Sequence, residues 1–461
     1  MESTQGNGST PGSRNAAAPL QVGWRWFCLA VLRVFYRRTE VDGLEHLPRQ
    51  GPVLLCANHP SAFADAAVVQ AACPRPVHPL ARSGLFRNPL LRPLLAIMQA
   101  IPVYRRQDSG GDTSQNVDSF EKCYQMFAAG EVLLIFPEGA SHHQPRLLEM
   151  RTGAARLALG ALERNGRAPL LLPIGLNFSD VGRFRSSVLV KIDSPVPVER
   201  REGETPQEAA VRITGDIHAA LGRVTLNLES WDDLDLLRRL ERFFNLRRGK
   251  YRRRKLSQRF RSLQKLIDAQ NRLRRRAPSL LMDAARRLRQ FERLCERFGV
   301  RDYHLTVRYT PGLVTRFVMR SLTIILLGLP LAAWGSLNSA LPYVLTGLLA
   351  VRIAKDRYEY DTAKILLGML FFGMFWGVQT AAVYTLWGTL AAVLYAASLL
   401  PSAAVGLYVR RERERIWDNI KVFFLFLRKK ELRDMLEVKR TELEKELAGL
   451  VKVALRDSSR E

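Results

Sequence analysis

The sequence predicts an α/β domain with a mixed central sheet covered by helices, then a basic amphipathic helical segment, then C-terminal transmembrane helical hairpins. Between residues 40 and 228, short apolar runs alternate with helical stretches, which is the pattern of an α/β domain. Residues 231–310 hold 24 Lys and Arg against 9 Asp and Glu. Two long runs, 321–351 and 365–409, contain no Asp, Glu, Lys or Arg. Uncharged runs of this length exclude an ordinary soluble globular protein and indicate a membrane protein.

The whole chain is strongly basic. Its 461 residues include 70 Lys and Arg and 44 Asp and Glu, a net charge of +26. Such a charge suits anionic partners, namely membrane headgroups, phosphorylated substrates or nucleic acid. The five cysteines are scattered without paired spacing, so neither a disulfide framework nor a zinc site is predicted.

The N-terminal region divides into two parts. Residues 1–20 are rich in Ser, Thr, Gly and Asn and are predicted to be a disordered tail. Residues 21–39 mix aromatic residues with arginines, and their apolar run Trp26–Leu32 is too short to span a bilayer. This pattern predicts an amphipathic helix lying in the membrane interface. A short soluble helix with a packed aromatic face is the alternative.

The α/β domain is assigned to residues 40–228. Two helices are predicted, Val117–Ala129 and Thr152–Arg164, the second of which ends at Asn165-Gly166, a common helix stop signal. Short apolar runs predict five strands: Pro52–Ala57, Ile101–Tyr104, Val132–Phe136, Leu170–Asn177 and Val188–Ile192.

Residues 229–310 form the predicted basic helical segment. Leu and Phe recur there at helical spacing, and Pro278 breaks the pattern, so two or three amphipathic helices are expected. A charge run is often only a solvated helix face. Because this one borders uncharged runs, adhesion to anionic membrane lipids is the favoured interpretation.

Residues 317–410 are predicted to form membrane hairpins. The short loop between the two uncharged runs carries four cations, so the positive-inside rule places it on the cytoplasmic side. Each run must then enter the membrane and return. The second run is expected to turn near Trp387-Gly388, and the first, interrupted by Gly335, Asn338 and Pro342, to form a short or re-entrant hairpin. The chain is therefore predicted to be an integral membrane protein, with the α/β domain and a final amphipathic helix, 411–461, on the cytoplasmic face.

A candidate for acid–base chemistry follows the first predicted strand. His59 comes two residues after Pro52–Ala57, and Asp65 follows six residues later. A His can act as general base when a carboxylate fixes its tautomer. Six residues along one helix would place the two on different faces, so the pairing needs His59 in the turn and Asp65 on the next helix. A lone His beside a turn is otherwise more often structural.

In addition to the block of sequence around His59, three further short blocks lie in or directly after predicted strands. Glu138 follows Val132–Phe136 at the sheet edge where ligands bind. Arg105 follows Ile101–Tyr104 and suits a phosphate. Pro173 lies in the strand Leu170–Asn177. The pair His142-His143 has no carboxylate or cysteine at metal-ligand spacing in the sequence, so no metal site is predicted.

These four blocks, in this order and spacing, resemble the glycerolipid acyltransferase family over about residues 30–200. The resemblance implies an α/β acyltransferase domain that moves an acyl chain from acyl-CoA or acyl carrier protein to a hydroxyl of glycerol-3-phosphate or 1-acyl-glycerol-3-phosphate. Five residues separate His59 from Asp65, whereas four are commonest in the family. A branch similar to the fungal glycerol-3-phosphate/dihydroxyacetone-phosphate acyltransferases also has five and matches Gly139–His142.

The resemblance also implies roles for individual residues. No cofactor is expected beyond the acyl-CoA or acyl carrier protein co-substrate, because the transfer needs only a base, orientation and charge stabilisation. Ser61 is counted with the substrate-binding residues, and a nucleophilic role for it is disfavoured. The implied assignments are His59 as general base, Asp65 as its charge partner, Arg105 on the acceptor phosphate, Glu138 and Gly139 on the glycerol phosphate, and Pro173 in the block that shapes the acyl pocket.

Two other functions remain open from the sequence. A non-catalytic basic scaffold could bind membranes with the same charge and apolar runs. A nucleic-acid-binding membrane protein would also suit the net charge, but the sequence has no recognisable nucleic-acid-binding motif. The expected partners are therefore the acyl donor, a glycerophosphate acceptor and anionic membrane lipids, with no nucleic acid.

Overall fold

The computed structural model describes residues 12–89, 91–104, 116–246, 254–306 and 310–456. The chain divides into two units. The first unit is Met1–Glu229 with Ala354–Ile365, and the second is Ser230–Ile353 with Leu366–Glu461. The predicted α/β domain, 40–228, is thus only part of the first unit. The N-terminal helix and a segment between the uncharged runs belong to it as well.

A seven-stranded mixed sheet lies at the centre of the first unit, in the order β1-β7-β6-β2-β5-β3-β4. Strands β2 to β6 are mutually parallel, β7 pairs antiparallel with β6, and β1 pairs parallel with β7. Every residue of β2 is buried, as expected for a central parallel strand covered on both faces. The strands are β1 Arg38–Asp42, β2 Val53–Ala57, β3 Val77–Arg82, β4 Ile101–Val103, β5 Val132–Ile135, β6 Leu170–Phe178 and β7 Ser187–Ile192.

Helices cover both faces of this sheet. One apolar core lies between the sheet and helices α1 and α2, and the other between the sheet and helices α4, α5 and α6. The α/β fold predicted from the sequence is confirmed, with all five predicted strands present. The helices are α1 Gly12–Phe35, α2 Phe63–Ala72, α3 Arg92–Ile97, α4 Asn116–Ala128, α5 Gly153–Asn165 and α6 Pro206–Val224.

The N-terminal region differs from the prediction. Residues 12–20, expected to be disordered, form the first part of α1, which contains three consecutive alanines, the best helix formers. Residues 1–11 lie outside the described residues. One face of α1, including Cys28 and Leu32, is buried in the first unit, as in the packed-helix alternative. Trp26 and Phe27 on the helix are exposed, and their contact with a membrane stays a prediction.

The second unit is helical. Pro278 separates α8 from α9 as predicted, and the apolar faces of α7, α9, α12 and α13 pack together around Phe243, Phe291 and Phe426. Residues 411–461, expected as one helix, contain the end of α12 and all of α13, with the break at Lys429. The helices are α7 Trp231–Leu246, α8 Leu256–Arg276, α9 Pro278–Arg297, α10 Pro311–Thr323, α11 Leu329–Ile353, α12 Tyr360–Arg428 and α13 Lys430–Arg456.

Two helical stretches, Val314–Ile353 and Arg357–Arg428, are long and apolar enough to cross a membrane. Pro342 lies inside α11, and the hairpin expected for the first uncharged run stays a prediction. In α12 the backbone leaves helical geometry at Gly388, with φ 82° and ψ −177°. Gln379 and Tyr395, on either side of that residue, are joined by a hydrogen bond of 3.3 Å, so the chain folds back there as predicted. The number of membrane crossings stays a prediction.

Candidate active site

The central strands bring two of the candidate blocks to one edge of the sheet. Strand β2 pairs in parallel with β5, with Cys56 in register with Ile135. His59 and Glu138 each come three residues after this register pair. Because parallel strands end at the same edge, the turns that follow β2 and β5 meet there. This register is the structural reason that residues 79 positions apart share one site.

His59 and Asp65 form a hydrogen-bonded pair. The Nδ1 atom of His59 lies 2.9 Å from Oδ2 of Asp65. His59 is in the turn after β2, and Asp65 is in the first turn of α2, which is the arrangement that the six-residue offset requires. The backbone N–H of Ser61 donates to the same Asp65 oxygen at 2.7 Å. The Asp65 side chain is completely buried, whereas the His59 side chain keeps 15% of its surface exposed.

The surroundings of the pair hold the imidazole in place. The Phe136 ring stacks on the His59 ring, with centroids 3.8 Å apart and planes inclined by 12°. Burial raises the pKa of the Asp65 carboxyl well above its ordinary value, and the Ser61 N–H opposes this rise. A buried carboxylate is costly unless a cation is close to it. Asp65 would therefore stabilise an imidazolium on His59.

Glu138 holds the two turns together. Its Oε1 accepts the backbone N–H of His59 at 3.0 Å, and its Oε2 accepts the backbone N–H of Leu148 at 2.9 Å. The same Oε2 is hydrogen-bonded to Nε2 of His142, and the His142 backbone N–H donates to the His59 carbonyl at 3.2 Å. The Glu138 side chain is completely buried. In this structure Glu138 holds the His59 turn in place, and the contact with glycerol phosphate implied by the resemblance stays a prediction.

His142 is a site residue to which the sequence analysis gave no role. Its Nδ1 accepts the backbone N–H of Gln144 at 3.2 Å, so the ring proton lies on Nε2 and is donated to Glu138. Its only sequence signal was its place four residues after Glu138 in the matched stretch Gly139–His142. Within the described residues, no three His, Cys, Asp or Glu side chains are grouped so as to hold a metal ion.

The other candidate residues have different surroundings. Gly139 has φ 71°, and an added Cβ would lie 3.3 Å from Cγ of Arg151, so the turn after β5 needs glycine. Pro173 is buried in β6, in register with Cys56 of β2, and its carbonyl accepts a hydrogen bond from Asp193. Arg105 lies outside the described residues, two positions after the end of β4.

The Ser61 side chain is hydrogen-bonded inside the fold. Its side chain is completely buried, and its hydroxyl donates to Oδ2 of Asp361 at 3.0 Å. A contact between Ser61 and a substrate stays a prediction. Asp361 belongs to the segment Ala354–Ile365 of the first unit, and no feature of the sequence indicated that it lies near the site.

Comparison with known proteins identifies the domain that carries this site. Residues 38–177, from β1 into β6, match the family model described as Acyltransferase. The chain contains an acyltransferase-family domain. It is the part of the first unit that places His59, Asp65 and Glu138 at one sheet edge.

Curated relatives match the same part of the chain. Glycerol-3-phosphate O-acyltransferase 2 of Saccharomyces cerevisiae is 28% identical over 134 residues, which is 28% of this chain and 18% of the relative. Glycerol-3-phosphate O-acyltransferase 1 of that yeast is 24% identical over 132 residues, 27% of this chain and 17% of the relative. An uncharacterised acyltransferase of Schizosaccharomyces pombe is 31% identical over 121 residues, 25% of this chain and 18% of the relative. The match thus spans less than a fifth of each relative's length.

One solved structure is also similar. It is the 1-acyl-sn-glycerophosphate acyltransferase PlsC from Thermotoga maritima, with 16% sequence identity and a TM-score of 0.36. The similarity covers 48% of this chain and 86% of that one.

Proposed function

We propose that this protein is a membrane-bound O-acyltransferase of phospholipid synthesis. It would move a fatty acyl chain from acyl-CoA or acyl carrier protein to a hydroxyl of glycerol-3-phosphate or 1-acyl-glycerol-3-phosphate. The observation that carries the proposal is the 2.9 Å pair of His59 and buried Asp65 at the edge of the acyltransferase-domain sheet. Such a pair can remove a proton from a hydroxyl.

The proposed mechanism is direct transfer. With Nδ1 of His59 donating its proton to Asp65, the lone pair lies on Nε2, which would take the proton of the acceptor hydroxyl. The acceptor oxygen then attacks the thioester carbonyl, and the carbon–sulfur bond breaks as the ester forms. The imidazolium, stabilised by Asp65, returns the proton to the departing thiolate. No cofactor is needed, since the acyl donor brings the activated carbonyl with it.

Two observations favour glycerol-3-phosphate over 1-acyl-glycerol-3-phosphate as the acceptor. Both yeast relatives are named glycerol-3-phosphate O-acyltransferases. The five-residue spacing between His59 and Asp65 also resembles the fungal branch that acylates glycerol-3-phosphate or dihydroxyacetone phosphate. A glycerophosphate is anionic, and Arg105 is the residue proposed to bind its phosphate.

The membrane arrangement is part of the proposal. The first unit carries the acyltransferase domain and is called the acyltransferase unit below. The segment Ala354–Ile365, between the two uncharged runs, belongs to this unit, where Arg357 pairs with Asp180 at 3.1 Å. The end of the first uncharged run and the start of the second would then lie on the side of the membrane that holds the acyltransferase domain, the cytoplasmic side by the positive-inside rule.

A labelling experiment tests this arrangement. All five native cysteines are buried, and Asp356 is exposed, so an Asp356→Cys variant offers one reactive thiol. A membrane-impermeant maleimide should label it in inside-out vesicles only, as it should label Arg201→Cys in the acyltransferase domain. Labelling of the two cysteines from opposite sides would contradict the arrangement.

The activity test is thiol release by the detergent-purified protein with palmitoyl-CoA. Three acceptors are compared, namely glycerol-3-phosphate, dihydroxyacetone phosphate and 1-acyl-glycerol-3-phosphate. We expect turnover with the two small acceptors, glycerol-3-phosphate and dihydroxyacetone phosphate. Since general-base catalysis raises reaction rates by about 10²–10⁴-fold, the turnover rate of His59→Ala should be lower by at least this factor. Turnover with the lysolipid alone would assign the second acylation. Silence with all three, and with acyl carrier protein as donor, would favour a non-catalytic membrane scaffold.

A further inference from the structure

A segment remote in sequence contacts the turn that carries the His59–Asp65 pair. Asp361, 300 residues after Ser61, is completely buried in the acyltransferase unit. Its Oδ2 accepts hydrogen bonds from the Ser61 hydroxyl at 3.0 Å and from the Tyr36 hydroxyl at 3.1 Å. Its Oδ1 accepts the backbone N–H of Gly182 at 2.8 Å. Asp361 thus joins the active-site turn to two other parts of the same unit.

The next residue holds the same turn through its backbone. The Thr362 hydroxyl accepts the backbone N–H of Ala64 at 3.1 Å. The same hydroxyl donates to the carbonyl of Ser61 at 3.2 Å. Together, Asp361 and Thr362 therefore make three hydrogen bonds to residues 61–64, the stretch that links His59 to Asp65.

This stretch needs support because its backbone is strained. Ala62 has φ 50° and ψ −130°, a region that residues with a Cβ rarely occupy. Such a conformation persists only where its surroundings impose it. The two hydrogen bonds that involve the Thr362 hydroxyl lie on either side of Ala62. The preceding side chain, Ser61, is held because its hydroxyl donates to Asp361. The Ser61 amide in turn holds the Asp65 carboxylate at 2.7 Å.

We propose that Asp361 and Thr362 are positioning residues for the His59–Asp65 pair. By this proposal the segment between the two uncharged runs completes the active site, because it fixes the turn whose amide orients Asp65. The predicted effect on turnover rests on the proposed acyltransferase function, whereas the effect on the geometry of the pair does not. Neither residue would touch the substrate.

The test uses variants that separate geometry from charge. Thr362→Val keeps the shape of the side chain and removes the hydroxyl, Thr362→Ser restores a hydroxyl, and both leave the charge unchanged. Asp361→Asn puts an amide in place of the carboxylate that accepts hydrogen bonds from the Ser61 and Tyr36 hydroxyls. Asp356→Asn makes the same acid-to-amide change at an exposed position of the same segment and is the control.

Two measurements are made on the full-length protein in detergent. The first is kcat and KM with palmitoyl-CoA and glycerol-3-phosphate. Since misplacement of a catalytic group by 1 Å costs about 10²-fold, we expect kcat to fall by about 10- to 100-fold in Asp361→Asn and Thr362→Val. The acceptor KM should stay within twofold, and Thr362→Ser and Asp356→Asn should keep the normal kcat. The second is the low-field proton resonance of the His59 Nδ1–H, assigned by its loss in His59→Gln.

The resonance should vanish or move in Asp361→Asn and Thr362→Val and should persist in Thr362→Ser and Asp356→Asn. A folded Thr362→Val that keeps both the resonance and kcat would overturn the proposal. The positioning role would be supported, and the acyltransferase assignment contradicted, if the resonance follows this pattern while the wild-type protein has no turnover with any of the three acceptors and either acyl donor. If Asp361→Asn does not fold, the Thr362 pair of variants decides the question.

Discussion

The charged side chains discussed for the two units differ in their burial. In the acyltransferase unit, the carboxylates of Asp65, Glu138 and Asp361 are buried, and each accepts defined hydrogen bonds around one turn. In the basic helices of the second unit, most arginines lie on exposed helix faces. The buried acids fix the geometry of individual atoms, whereas exposed cations add to a field to which each contributes little. Loss of one buried group should therefore have a large, specific effect, and loss of one exposed group a small, additive one.

The largest effect is expected at Asp65. An Asp65→Asn variant keeps the size of the side chain but removes the charge that stabilises the imidazolium on His59, so kcat with palmitoyl-CoA should fall by about 10²–10⁴-fold. The matched control is Asp216→Asn, because Asp216 is exposed on α6 of the same unit. Equal activity in the two variants would mean that Asp65 has no part in the chemistry.

The second prediction concerns an exception to the comparison, a buried arginine in the helical unit. The Arg440 guanidinium donates to Asp302, Glu444 and the carbonyl of Phe243 and lies over the Phe243 ring at 4.7 Å. Removal of one partner from a buried ion pair costs about 3–5 kcal/mol. Arg440→Met should therefore destabilise its unit by about 3 kcal/mol, a fall of about 6–12 °C in the midpoint of thermal unfolding.

The control for this measurement is Arg287→Met, since Arg287 is exposed and pairs with Glu446. An exposed pair contributes about 0–1 kcal/mol, so the midpoint should change little. If the two substitutions lower the midpoint equally, burial is not what distinguishes the charges of this protein.

Much of the fold was predictable from local patterns. The central strands are continuous apolar runs, and five were located from that signal alone. Two strands were missed for physical reasons. Strand β1, Arg38–Asp42, is a half-exposed edge strand with mostly polar residues. Strand β3, Val77–Arg82, contains Pro79, which argues against a strand in any sequence-based assignment.

The candidate site was predictable only where its residues follow strands. His59 and Glu138 were found because each comes soon after an apolar run, and Asp65 because it is close to His59 in sequence. Asp361 gave no such signal, since hundreds of residues separate it from the turn it holds. The hydrogen-bond partners of Glu138 and Ser61 could not be predicted from the sequence either, because the folding of distant segments decides them.

A smaller effect is predicted at Arg105. The sequence places it after β4 as a ligand of the acceptor phosphate, and charged hydrogen bonds contribute about 1.5–3 kcal/mol. Arg105→Ala should therefore raise the KM for glycerol-3-phosphate by about tenfold or more, and the KM for palmitoyl-CoA should not change. Arg106→Ala is the neighbouring control. A change confined to the donor's KM would show that the assignment to the acceptor is wrong.

The smallest effect per residue is expected on the basic face of α9. Phe291 lies on the buried side of this helix, so the apolar face is used inside the unit and only the charged face is left for a membrane. Attraction to anionic lipids would then be electrostatic, at about 1 kcal/mol per arginine, and would weaken with salt. The exposed face carries Arg286, Arg289, Arg293 and Arg297.

A dye on Gln290→Cys, which is exposed on this face, can report the approach of α9 to lipid in nanodiscs that contain a headgroup quencher. Quenching should be stronger with phosphatidylglycerol than with neutral lipid. In Arg293→Gln the ratio of quenched to unquenched protein should fall by about fivefold, the equivalent of about 1 kcal/mol. Arg164→Gln, an exposed substitution in the acyltransferase unit, should leave the ratio unchanged. Because exposed charges act as a sum, further substitutions on this face should add their effects, and a single arginine that removed all quenching would contradict the distinction between the two units.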